Sequence, residues 1–106
     1  MGAWGEGPYD NDRAADWFHD VVEGTGFRQK IRDGLGSGDP DLVRAAAWVI
    51  GVMGKVYVWP IDHLDDDRAE ARRALEALLA DEDWMGSWGD RAAVQAAIEA
   101  QLASLP

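Results

Sequence analysis

The chain has 106 residues, the usual size of one domain, and 47 % of them are hydrophobic, as in a globular protein. Twenty acidic against ten basic residues give a formal charge of −10, which argues against nucleic acid and anionic membrane as partners. The absence of cysteine excludes disulfides, thiolate zinc sites and a cysteine nucleophile. No apolar run spans a bilayer and no signal-peptide pattern is visible, so we predict a cytoplasmic protein.

The first predicted helix runs from Asp12 to Glu23, because apolar residues recur there with the helical period. Its apolar face, which we expect to enter the core, consists of Ala14, Trp17, Phe18, Val21 and Val22. Good N-cap residues occupy positions 10–12, and Gly24 ends the helix.

A second, shorter helix is predicted between residues 25 and 35, and a glycine-rich turn follows it. Asp39 is an N-cap residue followed by a proline, which together start a third helix over residues 40–56. That helix is apolar on most of its circumference, so we expect it in the middle of the domain. Gly51 and Gly54 each cost about 1 kcal/mol of helix propensity relative to Ala, and we therefore expect another element to approach them closely.

The last part of the chain predicts two more helices separated by a loop. Pro60 favours an extended chain before it, and the three aspartates at 65–67 open the fourth helix. Residues 81–90 are predicted as a loop, with Asp90 capping the fifth helix. No segment alternates with period two. We therefore predict an all-α fold over residues 1–106, a single bundle of about five helices, with HEAT-like helical pairs as the alternative.

The N-terminal stretch MGAWGEGPYDNDRAADW combines Gly-Ala-Trp-Gly at its start with Asp-Asn-Asp before Ala-Ala-Asp-Trp. It resembles the N-terminal signature of an uncharacterised bacterial family of small helical domains, a domain of unknown function. The likeness covers about residues 1–18. It implies a bacterial source, a helical fold and a native start, and it implies no activity. We interpret the glycines as a tight lead-in that buries Trp4 near residues 81–90.

Two groups of side chains have the donor types of a metal site. On the polar face of the first helix these are Asp16, His19, Asp20 and Glu23, and near the start of the fourth helix they are His63 and Asp65. Two or three residues of the first group would coordinate a metal such as zinc or manganese, and a joint site would require the two groups to meet. The other interpretation is a solvated polar face. A metal-dependent or small-ligand enzyme around the two histidines is therefore one alternative function.

Groups with an ordinary catalytic role are scarce. The chain has two histidines, and its few hydroxyls stand in no nucleophile-elbow pattern. The glycine-rich turn lacks the lysine of a phosphate-binding loop. We therefore predict no catalytic residue and no cofactor, and we favour a protein that is not an enzyme.

Six tryptophans are many for this length, and several stand among acids. The candidate partner-binding residues are Trp84, Trp88, Asp81, Glu82, Asp83 and Trp59. Aromatic residues among acids favour a module that binds a basic protein partner, for example an immunity-like or antitoxin-like inhibitor or a mimic of DNA charge. The alternatives are that these rings cap the core, or that the protein is structural and self-associates; we predict a monomer or a weak homodimer.

Overall fold

The computed structural model describes residues 12–105, and over that part of the chain every regular element is helical. The elements are α1 (Asp12–His19), a π-helical turn (Asp20–Gly24), α2 (Phe27–Leu35), α3 (Pro40–Lys55), α4 (Ile61–Ala80), α5 (Glu82–Gly86) and α6 (Arg91–Ala103). The predicted all-α fold is confirmed. None of the described helices has the length and apolarity needed to cross a membrane. The predicted burial of Trp4 falls outside the described residues.

The third helix occupies the centre, as its sequence predicts. α3 packs against α2, α4 and α6. Most residues of its buried face have small side chains, and Ile50 is the largest. The buried residues are Val43, Ala46, Ala47, Ile50, Gly51 and Gly54. The rest of the core comes mainly from Leu64, Ala71 and Leu75 of α4, Val94 and Ile98 of α6, and Met85 of α5. The apolar circumference of α3 is not covered everywhere, since Trp48 is 60 % exposed.

The two glycines near the end of α3 are sites of close approach, which confirms that prediction. A Cβ atom at Gly51 would lie 3.2 Å from Ser104 Oγ, just after α6. A Cβ atom at Gly54 would lie 2.9 Å from Leu64 Cδ1 and 3.2 Å from Arg68 Nη2 of α4. The missing side chains therefore let two neighbouring segments reach the α3 backbone.

Two boundaries differ from the sequence prediction. α4 begins at Ile61, one turn before the three aspartates, and its N-cap residue is Pro60, at φ −54° and ψ 119°. The predicted loop at 81–90 contains the short helix α5, since Asp81 Oδ1 accepts a hydrogen bond from Trp84 N at 3.1 Å. Asp90 caps α6 as predicted and accepts from Ala93 N at 3.0 Å.

The first helix does not bury its whole apolar face. Val22 is buried and Phe18 half-buried, whereas Trp17 is 61 % exposed. The expectation that Trp17 enters the core is therefore wrong. Within residues 12–105 the backbone of α1 lies close to the π turn and to no other helix. Because the π turn replaces i→i+4 hydrogen bonds by i→i+5, the residues after His19 rotate away from the stripe that a continuous α-helix would form.

Candidate functional site

The two histidines of the chain converge on one carboxylate, that of Glu23 in the π turn. His19 Nε2 lies 2.9 Å from Glu23 Oε2, and His63 Nε2 lies 3.0 Å from Glu23 Oε1. Arg28 Nη1 reaches the same Oε1 at 3.2 Å. α1, the π turn and the first turn of α4 therefore meet at this point, and two residue groups that are far apart in sequence are joined.

The remaining metal candidates lie outside this contact. Asp16, Asp20 and Asp65 are exposed. Within residues 12–105, no three His, Cys, Asp or Glu side chains are arranged to hold a metal ion. The Glu23 oxygens lie instead within 3.0 Å of two imidazole nitrogens, and Glu23 Oε1 accepts a hydrogen bond from the Arg28 guanidinium. A metal site on these residues stays a prediction from the sequence.

Behind Glu23 lies a buried carboxylate, Asp67 of α4, which is 1 % exposed. Asp67 accepts hydrogen bonds from Arg28 Nε at 2.8 Å, from Arg28 Nη2 at 3.1 Å and from Trp59 Nε1 at 2.8 Å. Arg32 Nε lies 3.6 Å from Asp67 Oδ1. The hydrogen bond with Asp67 raises the pKa of the Arg28 guanidinium above its ordinary value, against the opposing effect of burial. We call Glu23, Arg28, Trp59 and Asp67, with the two histidines, the Asp67 network.

The sequence interpretation missed Asp67 and Arg28, although a signal for Asp67 was present. Asp67 lies three residues after Leu64 and four before Ala71, both of which belong to the buried stripe of α4. An acid at that spacing is predicted to be buried and to need a basic partner. Nothing local to α2 indicates that Arg28 is the partner, because the two residues lie 39 positions apart.

Trp59, a candidate partner-binding residue, is buried at 1 % exposure and offers no surface to a partner. Its indole nitrogen donates to Asp67, and its ring meets Phe27 edge-on at a centroid distance of 6.4 Å. Tyr57, two residues before Trp59, adopts a left-handed conformation, with φ at 57°. The interpretation of Trp59 as a contact residue is therefore corrected.

The other partner-binding candidates lie close together in sequence, in α5 and on either side of it. The rings of Trp84 and Trp88 meet edge-to-face, with centroids 5.8 Å apart and planes at 84°. Trp88 is 41 % exposed and Trp84 is half-buried. The surrounding acids are exposed, and they are Asp81, Glu82, Asp83 and Asp90. We call these six residues the acidic tryptophan surface.

One basic side chain borders this surface. Arg91 Nη2 lies 2.8 Å from Glu82 Oε2, and both side chains are exposed. Residues 81–91 include four acidic residues and this one basic residue. The surface therefore keeps an excess of negative charge next to two aromatic rings.

A pocket of about 210 Å³ lies between α1 and the segment that leads into α4. It is lined by Asp16 and His19 of α1 and by residues 57–62, which include Tyr57, Ile61 and Asp62. We call it the α1 pocket. It shares His19 and Trp59 with the Asp67 network, which therefore supports one of its walls.

No protein-family model, curated protein or solved structure matches this chain. The acidic tryptophan surface and the α1 pocket are two candidate binding sites among residues 12–105. The two lie in different parts of the chain, at residues 81–90 and at residues 16–62.

Proposed function

We propose that this protein is a non-enzymatic module that binds a basic segment of another protein through the acidic tryptophan surface. The observation that carries the proposal is the edge-to-face pair of Trp84 and Trp88 among four exposed acids. Tryptophan is the ring type that attracts lysine and arginine most strongly. Buried and half-buried aromatic side chains also supply most of the binding energy in protein interfaces.

The backbone of α5, which carries Trp84, is held in place without a partner. Asp81 caps α5 by accepting from Trp84 N, and Ser87 Oγ donates to the Trp84 carbonyl at 2.6 Å. Met85, between the two rings in sequence, is 1 % exposed and anchors α5 in the core. Because the surface is already ordered, a partner loses less conformational freedom when it binds.

The charge of the whole chain supports the same kind of partner. A formal charge of −10 attracts basic proteins over a distance and accelerates their encounter. An immunity-like or antitoxin-like inhibitor that covers a basic active site is the concrete form we propose. A mimic of DNA charge is the other form. We also propose that the protein is cytoplasmic and that it is related to the bacterial family that its N-terminal stretch resembles.

The proposal is tested by isothermal titration calorimetry, in which the protein is titrated with a short peptide rich in lysine and arginine. We expect Trp88→Ala to weaken binding about tenfold, the effect of a typical hot-spot residue. Trp48→Ala is the matched control, since Trp48 is also exposed but lies on α3. Equal binding by the Trp88→Ala protein, or equal binding of a peptide with glutamate in place of the basic residues, would contradict the proposal.

A further inference from the structure

The residues that line the α1 pocket have no part in the proposed function. Two carboxylates face it, Asp16 from α1 and Asp62 from the first turn of α4. Among residues 12–105 neither carboxylate forms an ion pair. The nearest basic group in the wall is His19, whose Nε2 is already engaged with Glu23. The wall is therefore negatively charged and suited to a cation.

Apolar and aromatic side chains complete the wall. Tyr57 is 52 % exposed, and Ile61 is also exposed, although both are large hydrophobic residues. An aromatic face attracts an organic cation, and an aliphatic side chain packs on the hydrocarbon part of the same molecule. The volume is below that of pockets for drug-sized ligands, so the fitting molecule is small.

The backbone at Tyr57 has a conformation that a residue with a large side chain rarely adopts. Val58 N donates to Met53 O at 3.0 Å and Tyr57 N to Gly54 O at 3.3 Å. This is the hydrogen-bond pattern of a Schellman motif, which normally has glycine at the left-handed position. Here that position is taken by Tyr57 at φ 57°, an unfavourable conformation for a bulky residue. The chain thus retains an aromatic ring beside the pocket at a cost in stability.

We infer that the α1 pocket binds a small organic cation, an amine or guanidinium group on a short aliphatic stem. The cationic head lies between the carboxylates of Asp16 and Asp62 and against the ring of Tyr57. The stem packs on Ile61. This chemistry is carried by a free small molecule or by a lysine or arginine side chain of a peptide, and anions are repelled.

The inference is tested by nuclear magnetic resonance titration with n-butylguanidinium, using neutral pentanamide and anionic pentanoate as comparisons. We expect the cation alone to shift the backbone amide signals of residues 16–19 and 57–62. Asp62→Asn should weaken its binding about tenfold. Asp65→Asn, one turn further along α4 and exposed, should leave binding unchanged. Equal binding of the neutral compound, no shifts at all, or equal effects of the two substitutions would overturn the inference.

Tyr57→Gly separates a ligand role from a structural one. Glycine relieves the left-handed backbone, so thermal stability should rise while cation binding is lost. Tyr57→Leu is the second variant, which removes the ring but keeps a bulky side chain at the same backbone conformation. It should fold like the original protein and bind the cation less tightly. Unchanged cation binding in both variants would overturn the role of Tyr57.

Two further comparisons identify the source of the cation and keep the two proposals apart. Tight binding of an end-blocked Gly-Arg-Gly peptide indicates a protein side chain as ligand, and binding of the free guanidinium alone indicates a small molecule; either supports the inference. Trp88→Ala should not change cation binding in the α1 pocket. If instead it abolishes those signal shifts, the cation binds at the acidic tryptophan surface and the inference fails.

Discussion

Asp67 is a buried carboxylate of α4 that joins three segments of the chain. Its carboxylate receives donors from α2 and from the segment before α4, namely Arg28 and Trp59. A buried ion pair contributes little compared with a well-packed apolar pair. Removing one member of such a pair is costly, however, because the other member is left buried without a partner.

At the residue scale we therefore predict that Asp67→Ala lowers the free energy of unfolding by about 3–5 kcal/mol. The substitution leaves Nε and Nη2 of Arg28 and the Trp59 indole nitrogen without their acceptor, and only Arg28 Nη1 keeps one, at Glu23. Equilibrium urea denaturation measures the change. Asp67→Asn retains an acceptor for one of these donors and should cost less.

Asp66→Ala is the control for this prediction. Asp66 is the preceding residue of α4 and is exposed, so its loss should change stability by no more than about 0.5 kcal/mol. A loss below about 1 kcal/mol for Asp67→Ala would show that the Asp67 network is not important for stability.

Among the helices, α3 has residues of low helix propensity at the positions where other segments pack closely against it. Its last turns contain Gly51 and Gly54, and each of these faces another segment at short distance. Glycine in a helix interior is less favourable than alanine by about 1 kcal/mol. The close packing of α4 on α3 offsets that loss, because the backbone of α3 becomes part of the contact surface.

The element-scale prediction is that Gly54→Ala destabilises the protein by about 1–3 kcal/mol, although alanine is the better helix former. The new Cβ atom would stand 2.9 Å from Leu64 Cδ1, and Leu64 is buried at the α3–α4 contact. Thermal unfolding measures the shift. The matched substitution Gly86→Ala meets nothing within 4 Å and should be close to neutral. If the Gly54→Ala protein is more stable than the original, the prediction is wrong, and Leu64 and Arg68 of α4 move aside without a large loss of packing.

Across the whole molecule, ion pairing of the acidic residues differs between the contact of α2 with α4 and the surface at α5. Arg28 and Arg32 of α2 pair with Asp67 and Glu70 of α4, so two of the ten basic residues neutralise acids within the fold. In the part of the chain that the structure describes, the acids at α5 form one ion pair, between Glu82 and Arg91. Within residues 12–105 the negative charge at α5 is therefore only partly balanced by ion pairs.

At this scale we predict that the affinity for a lysine- and arginine-rich peptide falls several-fold as sodium chloride is raised from low to high concentration. Exposed charges are screened beyond about 8 Å at physiological ionic strength, so both attraction and encounter rate decrease. Calorimetry over a salt series measures this. An affinity that does not depend on salt would indicate that the tryptophan rings act without the acids.

The sequence by itself determined the features that depend on neighbouring residues. Helical periodicity predicted the five longer helices, and local hydrogen bonding made Asp39 and Asp90 recognisable as caps. The apolar pattern of α3 and its glycines predicted a central, closely approached helix. These properties follow from spacing along one segment.

Only the tertiary structure decided which faces are covered and which distant residues meet. Trp17 and Trp59 are both large aromatic residues, yet one is exposed and the other buried, because packing partners cover only the second. His19 and His63 share Glu23 through a π turn that no periodicity predicted. The pairing of Asp67 with an arginine 39 residues away likewise depends on how helices pack, since residue spacing along one helix carries no information about a second helix.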